Sequence, residues 1–130
     1  MTNFVKGLLL KAFKVPVLHS FFSRNIARGV RWMRIPLLRE TDSWIAFCHP
    51  TPAYPVHIVI LPKKPWKDWL AVTTEDPKAF TEFVSLTQTM IRDFELTPAG
   101  YRLIMNGGSN QTFPHLHFHL VAGEQLPSQE

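Results

Sequence analysis

Histidine alternates with apolar residues near the carboxyl end of the chain, where residues 115–121 have the sequence HLHFHLV. Successive side chains of a β-strand point to opposite faces, so His115, His117 and His119 would share one face. The apolar residues between them would share the other face, which must be buried. The segment therefore predicts a strand that presents three imidazoles together, and no other feature of the sequence constrains the fold as strongly.

Short apolar segments bounded by proline, glycine or polar residues follow one another from residue 37 onward and predict further strands. The predicted strands are 44–48, 57–61, 101–105 and 115–121. Asp76 and Pro77 are typical of a helix start, because aspartate caps a helix and proline fits its first position. Apolar residues at helical spacing extend this helix to about Glu95. Strands grouped around one long helix predict an α+β domain with an antiparallel sheet.

Three aligned imidazoles point either to a metal site or to phosphoryl chemistry. Histidine is the commonest metal ligand, but three histidines at alternate strand positions span about 13 Å, which is awkward for ligands of one ion. A metal site would more easily use two of them with His57. Alternatively, a neutral imidazole is a good nucleophile near neutral pH, and its neighbours can donate hydrogen bonds to phosphoryl oxygens.

The loop before the triad suits an anion, because glycines free its backbone and its side chains add donors. These residues are Gly107, Gly108, Ser109, Asn110, Gln111 and Thr112. No carboxylate, the usual ligand of magnesium, lies near in sequence. The residues therefore favour metal-free phosphoryl chemistry.

Together these segments resemble the histidine triad (HIT) superfamily of nucleotide hydrolases and transferases, and in particular its nucleotide-binding branch. The family signature is histidine and apolar residues in strict alternation, ending in two apolar residues, and 115–121 matches every position. Further similar segments are 44–47, 50–55, 57–64 and 100–106. The resemblance implies an antiparallel sheet of about five strands with one long helix and N-terminal helices, in a homodimer that needs no metal or other cofactor.

The resemblance implies a role for each histidine of the site. His117 would attack the α-phosphorus and form a covalent nucleotidyl-histidine, a phosphohistidine intermediate that water then resolves. His119 would contact phosphoryl oxygens, and His115 would help to orient the nucleophile. His57 would join them from a neighbouring strand.

Other site residues follow from the same resemblance. Thr112 stands where the nucleotide-binding branch has a serine near the leaving group, and Gln111 and Asn106 match amides that contact phosphate or order the site. Phe47 and His49 fall among the nucleotide-binding positions. His49 replaces an aspartate that grips the ribose hydroxyls, and an imidazole cannot supply that bidentate anionic acceptor. The loop before the triad is also two residues shorter, so base and ribose recognition are expected to differ.

The sequence thus predicts a metal-independent hydrolase or transferase that cleaves a nucleotide phosphoanhydride or phosphoramidate bond. Its ligand would be a nucleotide or another phosphorylated small molecule. Two alternatives stay open: a catalytically weak module that binds a nucleotide or phosphate, and a histidine cluster that binds a metal.

The first 39 residues carry a formal charge of +8 with no acid, against +4 for the whole chain of 130 residues, so the remainder carries −4. Apolar residues recur at helical spacing over 3–14 and 20–33, and prolines end both patterns. This basic arm, residues 1–36, would pack on the domain or a second subunit, lie on an anionic membrane, or act as a mitochondrial transit peptide. The predicted location is cytoplasmic, with membrane association or mitochondrial import depending on the arm.

Composition excludes several other classes of protein. Cys48 is the only cysteine, so the chain forms neither an intramolecular disulfide nor a multi-cysteine zinc site. No apolar run is long enough to cross a bilayer, and 45% hydrophobic residues argue against disorder. No recognised nucleic-acid-binding motif accompanies the basic charge. We expect the arm at 1–36, one HIT-like domain at 37–123 and a short tail at 124–130.

Overall fold

Two helices and a five-stranded antiparallel sheet make up the part of the chain, residues 26–127, that the computed structural model describes. The helices are α1 (Ile26–Trp32) and α2 (Pro77–Asp93), with short 3-10 turns at Trp69–Ala71 and Gly108–Asn110. The strands are β1 (Arg39–Glu40), β2 (Trp44–Cys48), β3 (Val56–Pro62), β4 (Arg102–Met105) and β5 (Phe118–Ala122). The predicted α+β fold is confirmed, whereas the helix predicted over 3–14 and the start of the one predicted over 20–33 lie outside the described residues.

The strands are arranged in the order β1-β2-β3-β5-β4, which puts β3 and β5 side by side in the middle of the sheet. In their register Val59 lies opposite His119, and His57 lies opposite Val121. Directly opposed residues of antiparallel strands point to the same face. His57 and His119 therefore project from one face of the sheet although they come from different strands.

Helix α2 covers the other face. Its first turn begins as the sequence predicts, because the Asp76 side chain accepts a hydrogen bond from the Ala79 N–H and Pro77 occupies the first turn. Trp44 of β2 is buried beneath it and donates a hydrogen bond from its indole Nε1 to the carbonyl oxygen of Ala79, at 2.7 Å. The main core thus lies between α2 and this face of the sheet.

Helix α1 covers the face that carries His57 and His119. Ile26 and Val30 of α1, with Met33 and Ile35 after it, are buried against apolar residues of the sheet. Those sheet residues are Ile45, Phe47, Val59 and Leu61. The described part of the basic arm is therefore packed on the domain, as one of its three predicted roles requires. No helix within residues 26–127 is long and apolar enough to span a bilayer.

The strand predicted over 115–121 begins only at Phe118. Pro62, at the end of β3, has no N–H to donate, so the ladder between β3 and β5 stops at the pair of Ile60 with Phe118. Beyond that point the Leu116 N–H donates to the Trp66 carbonyl oxygen at 2.8 Å. The first two histidines of the triad consequently lie on a loop segment that leads into β5.

Candidate active site

Four histidines form a continuous row on the α1 face of the sheet. His49 follows β2, His57 lies on β3, His119 lies on β5 and His117 precedes β5. The ring centroids are 4.4 Å apart for His49 and His57, 5.0 Å for His57 and His119, and 4.9 Å for His119 and His117. Each imidazole therefore contacts the next.

Hydrogen bonds fix where the protons of the middle two rings lie. The Ala53 backbone N–H donates to Nδ1 of His57 at 2.9 Å, so a neutral His57 carries its proton on Nε2. That Nε2 is 2.8 Å from Nδ1 of His119 and donates to it. His119 must then carry its own proton on Nε2. The backbone thus sets the tautomer of both rings.

His117 has the opposite tautomer. Its Nδ1 is 2.9 Å from the carbonyl oxygen of His115, and because a carbonyl can only accept, Nδ1 carries the proton. The lone pair of His117 is therefore on Nε2. The side chain is almost fully buried, at 2% exposure, so this lone pair is held in one direction within a site largely closed to water.

The ring of His115 does not join the row. It is completely buried, and its Nε2 donates to the carbonyl oxygen of Pro62 at 3.0 Å. The expectation that the triad presents three imidazoles together is therefore wrong for His115. Its backbone carbonyl oxygen accepts the hydrogen bond from Nδ1 of His117.

Phe113 lies flat against the imidazole of His117, with ring centroids 4.2 Å apart and an angle of 11° between the planes. It also packs against the apolar residues between α1 and the sheet. The Gln111 side chain holds this loop, because its Nε2 donates to the carbonyl oxygens of Lys67 at 2.7 Å and Phe113 at 3.0 Å. The side-chain amide of Gln111 thus links the loop before β5 to the backbone at Lys67.

The remaining predicted residues lie around the row. Asn106 directly follows β4 and is half-buried, and Thr112 is exposed in the loop before Phe113. Phe47 and His49 line a cavity of about 30 Å³ between α1 and the sheet. The same cavity is lined by Ile26, Val30, Pro50, Val59, Leu61, Phe113, His117 and His119. Among the described residues that line this cavity there is no carboxylate, and the polar side chains are imidazoles.

Burial keeps His57, His117 and His119 neutral near pH 7. It lowers the pKa of His57 to about 4, with a further contribution from the neighbouring His49. Burial also lowers the pKa of His119 to about 4, and repulsion from His117 and His57 adds to the effect. The pKa of His117 is lowered by burial, which outweighs its hydrogen bond to the His115 carbonyl. The Nε2 lone pair of His117 is therefore available at neutral pH.

A shared metal ion finds little support in this geometry. Among residues 26–127, no group of three or more histidine, cysteine, aspartate or glutamate side chains is arranged to hold one. The facing nitrogens of His57 and His119 already share a hydrogen bond, which occupies the lone pair of His119 Nδ1.

Sequence reasoning missed the residues that set the geometry of the row. The hydrogen bonds of His57 with the Ala53 N–H and of His117 with the His115 carbonyl use backbone atoms, and side-chain patterns do not reveal backbone partners. Phe113 did leave a signal, since a large aromatic residue two positions before the triad was available to pack on it.

Comparison with known proteins identifies the family. The HIT domain family model matches residues 36–126, and the chain belongs to this family. It is 37% identical to an uncharacterised HIT-like protein of Synechococcus elongatus over 92 residues, which cover 69% of this chain and 80% of that protein. It is 32% identical to an uncharacterised HIT-like protein of Rickettsia prowazekii over 93 residues, covering 69% of this chain and 78% of that one.

Comparison with solved structures identifies the same family. A HIT family hydrolase from Legionella pneumophila superposes with a TM-score of 0.67 at 29% identity, covering 82% of this chain and 94% of that one. A histidine triad protein from Clostridium difficile gives a TM-score of 0.66 at 29% identity, covering 85% and 95%. At the level of the family, the chain is similar to hydrolases.

Proposed function

We propose that the protein is a metal-independent hydrolase or transferase that cleaves a phosphoanhydride or phosphoramidate bond of a nucleotide through a covalent intermediate on His117. The observation that carries the proposal is the tautomer of His117. Its Nδ1–H donates to the His115 carbonyl, and its Nε2 lone pair is left for attack. A buried, oriented and neutral imidazole is what nucleophilic catalysis at phosphorus requires.

The proposed reaction has two steps. In the first, Nε2 of His117 attacks phosphorus, a P–N bond forms, and the bond from phosphorus to the leaving group breaks. In the second, water attacks the same phosphorus and releases His117, so that one water is consumed per bond cleaved. The Nε2–H of His119 would donate to a phosphoryl oxygen in both steps, supported by His57 behind it. Thr112, which is exposed in the loop before Phe113, would serve the leaving group, as its position in the family pattern implies.

Recognition of the nucleoside is proposed to differ from that of the nucleotide-binding branch. The cavity beside His117 holds only about 30 Å³, roughly the volume of one water molecule. A base would therefore bind at its rim, or α1 and Phe113 would have to move. Since His49 takes the place of a carboxylate, a ribose diol loses its bidentate acceptor.

The test is hydrolysis of adenosine 5′-phosphoramidate and of a dinucleoside polyphosphate with excess chelator present. We expect turnover by the wild type and none by His117→Ala, with Arg92→Ala on the exposed surface of α2 as the matched control. Mass spectrometry of protein denatured in alkali should detect the nucleotidyl adduct on the wild type. Turnover that the chelator abolishes, or that survives His117→Ala, would contradict the proposal. Binding of a nucleotide without turnover would instead favour the binding-module alternative.

We further propose that the protein is a homodimer joined along β4. This strand is at the edge of the sheet, where Leu103 leaves 43% of its surface exposed, and Tyr101, just before the strand, leaves 44%. An exposed apolar edge strand is a site of strand-to-strand association. Light scattering should give the mass of a dimer for the wild type and of a monomer for Leu103→Lys. Leu70→Lys, at a position 93% exposed in the turn Trp69–Ala71, is the control that should stay dimeric.

Membrane association or mitochondrial import of the arm remains a prediction from the sequence. Because Ile26, Val30 and Met33 are buried on the sheet, the apolar stripe of 20–33 is not available to a lipid over these positions. Any membrane contact by α1 must therefore use its opposite side.

A further inference from the structure

Strand β4 places one basic side chain on the face of the sheet that carries the histidine row. Arg102 lies opposite Val121 of β5, and Val121 lies opposite His57 of β3. Since directly opposed residues point to the same face, Arg102 and His57 project from the same side of the sheet. Arg39, the other basic residue of the described strands, lies opposite Ala46, which belongs to the core beneath α2. Arg102 is therefore the basic residue that these strands contribute to the candidate active-site face.

The register also places Arg102 close to the reacting groups. His119 is two positions before Val121 on β5, the strand next to β4. With about 4.8 Å between neighbouring strands and about 6.8 Å for two residues along one strand, the Cα atoms of His119 and Arg102 are about 8 Å apart. The flexible stem of the arginine can extend its guanidinium over part of this distance. The guanidinium can therefore meet an anionic group next to a phosphoryl group held by His119.

The β4 side of this face is open, whereas the β2 and β3 side is covered. The residues that pack with α1 in its apolar cluster include none from β4 or β5. Arg102 is exposed, and a cleft of about 350 Å³ lies beside it between residues 99–102 and 121–124. The cavity beside His117 under α1 holds only about 30 Å³. A substrate that extends beyond one phosphoryl group therefore has more room toward β4 than under α1.

The charge of Arg102 is uncompensated. Within residues 26–127 its side chain forms no ion pair, although Arg31, Arg39 and three lysines do. Glu124 lines the same cleft, but it is not paired with Arg102. A guanidinium presents its N–H donors in a planar fork that fits two oxygens of a phosphate at once. The open cleft therefore offers a phosphate a cation that no carboxylate already holds.

We propose that Arg102 binds a second phosphate of the substrate, beyond the phosphoryl group that His117 attacks, and so makes the protein selective for phosphoanhydrides over phosphoramidates of uncharged amines. The inference rests on the proposed function, because it takes the reacting phosphorus to lie at His117 and His119. Adenosine 5′-phosphoramidate has one phosphoryl group and leaves Arg102 without a ligand. A dinucleoside polyphosphate extends further phosphates along the open side of the face, where the guanidinium can bind them.

The first experiment measures kcat/KM for adenosine 5′-phosphoramidate and for diadenosine tetraphosphate, with chelator present. The ratio of the second value to the first should fall about 10- to 100-fold in Arg102→Ala, because a charged hydrogen bond is lost with one substrate only. Arg102→Lys keeps the charge and should lower the ratio less. Arg92→Ala, which removes the same charge from the exposed surface of α2, should keep the wild-type ratio. A wild-type ratio in Arg102→Ala, or an equal fall in Arg92→Ala, would overturn the inference.

The second experiment measures binding and needs no turnover. Calorimetric titration compares AMP with α,β-methylene-ATP, whose α–β linkage is not hydrolysed. The wild type should bind the analogue more tightly than AMP, and Arg102→Ala should remove most of this difference. Glu124→Gln removes the acid from the same cleft and should tighten the analogue by up to about fivefold.

Equal affinities of the wild type for the two ligands, or binding of neither, would overturn the inference. Loss of the proposed function has a different signature, since it concerns turnover that survives His117→Ala or disappears with chelator. Circular dichroism and light scattering establish that each variant keeps the fold and the mass of the wild type.

Discussion

His57 and His119 share a hydrogen bond of 2.8 Å between Nε2 of the first and Nδ1 of the second, although 62 positions separate them in the sequence. The Ala53 N–H on the far side of His57 sets the direction of this bond. His57 therefore acts on the site through His119: it presents His119 with its Nε2–H directed away from the pair. In the proposed mechanism, His57 would be a positioning residue, and His119 would be the one whose Nε2 proton reaches a phosphoryl oxygen.

This relationship predicts that the two histidines act as a unit in catalysis. His119→Ala should lower kcat by roughly 10²- to 10⁴-fold, the usual range for loss of a proton donor. His57→Ala should lower kcat less, because His119 remains. The double variant should be no slower than His119→Ala alone, since His57 then has no ring to orient. Steady-state hydrolysis of adenosine 5′-phosphoramidate measures all three, and losses that multiply would mean that the two residues act separately.

Stability should depend on pH between about 4 and 6.5. His57 and His119 have pKa values of about 4 in the folded protein against an ordinary value of 6.5. Within this window the unfolded chain binds more protons, so the free energy of unfolding is highest above pH 6.5 and falls as the pH is lowered toward 4. Urea midpoints at pH 7.5 and 5 measure the effect.

The control for this dependence is His57→Gln/His119→Gln, which removes two of the three histidines whose pKa burial lowers and leaves His117. Its urea midpoint should change less between the two pH values than that of the wild type. The aspartates with lowered pKa, such as Asp76 beside Lys64, titrate below this window, and Glu40 titrates in the same way in the wild type and in the double variant. An unchanged dependence in the double variant would assign the effect to other groups.

Phe113 should hold the ring of His117 and keep water from it. Phe113→Ala exposes the imidazole, so the pKa of His117 should rise toward its ordinary value and the acid limb of kcat/KM should move to higher pH. Phe113→Tyr keeps a flat ring in the same place and should restore the wild-type profile. A lower rate in Phe113→Ala with no change in the pH profile would indicate a structural role only.

Gly123 should be sensitive to a single added methyl group. Its φ is +86°, and a Cβ would lie 2.8 Å from Cγ of Pro55, just before β3. Gly100 has a similar φ of +92° but open space around it. Gly100→Ala should therefore cost about 1 kcal/mol from backbone strain alone, and Gly123→Ala about 1–3 kcal/mol more from the clash. Urea unfolding of both variants measures the loss in the free energy of unfolding. Equal losses would show that the Pro55 ring can move away from the added methyl group.

The sequence was sufficient for most of the helices and strands among the described residues but not for the details of the site. Apolar runs bounded by prolines located β2 and β3, and the cap at Asp76 located the start of α2. The two-residue strand β1 was not predicted, because so short a segment has no periodicity. Periodicity also could not show that Pro62 ends the ladder before the first two histidines, since that depends on which residue lies opposite which. The direction of the His115 ring depends on the same register.

The antiparallel pairing of β3 with β5 makes the site a product of long-range folding. The intervening segment includes all of α2 and β4, and the chain must close this loop before His57 and His119 meet. Contacts between residues so distant in sequence form slowly and late compared with local ones. No hairpin or isolated helix of this protein can assemble the four imidazoles, so an incompletely folded chain would be catalytically silent rather than partly active.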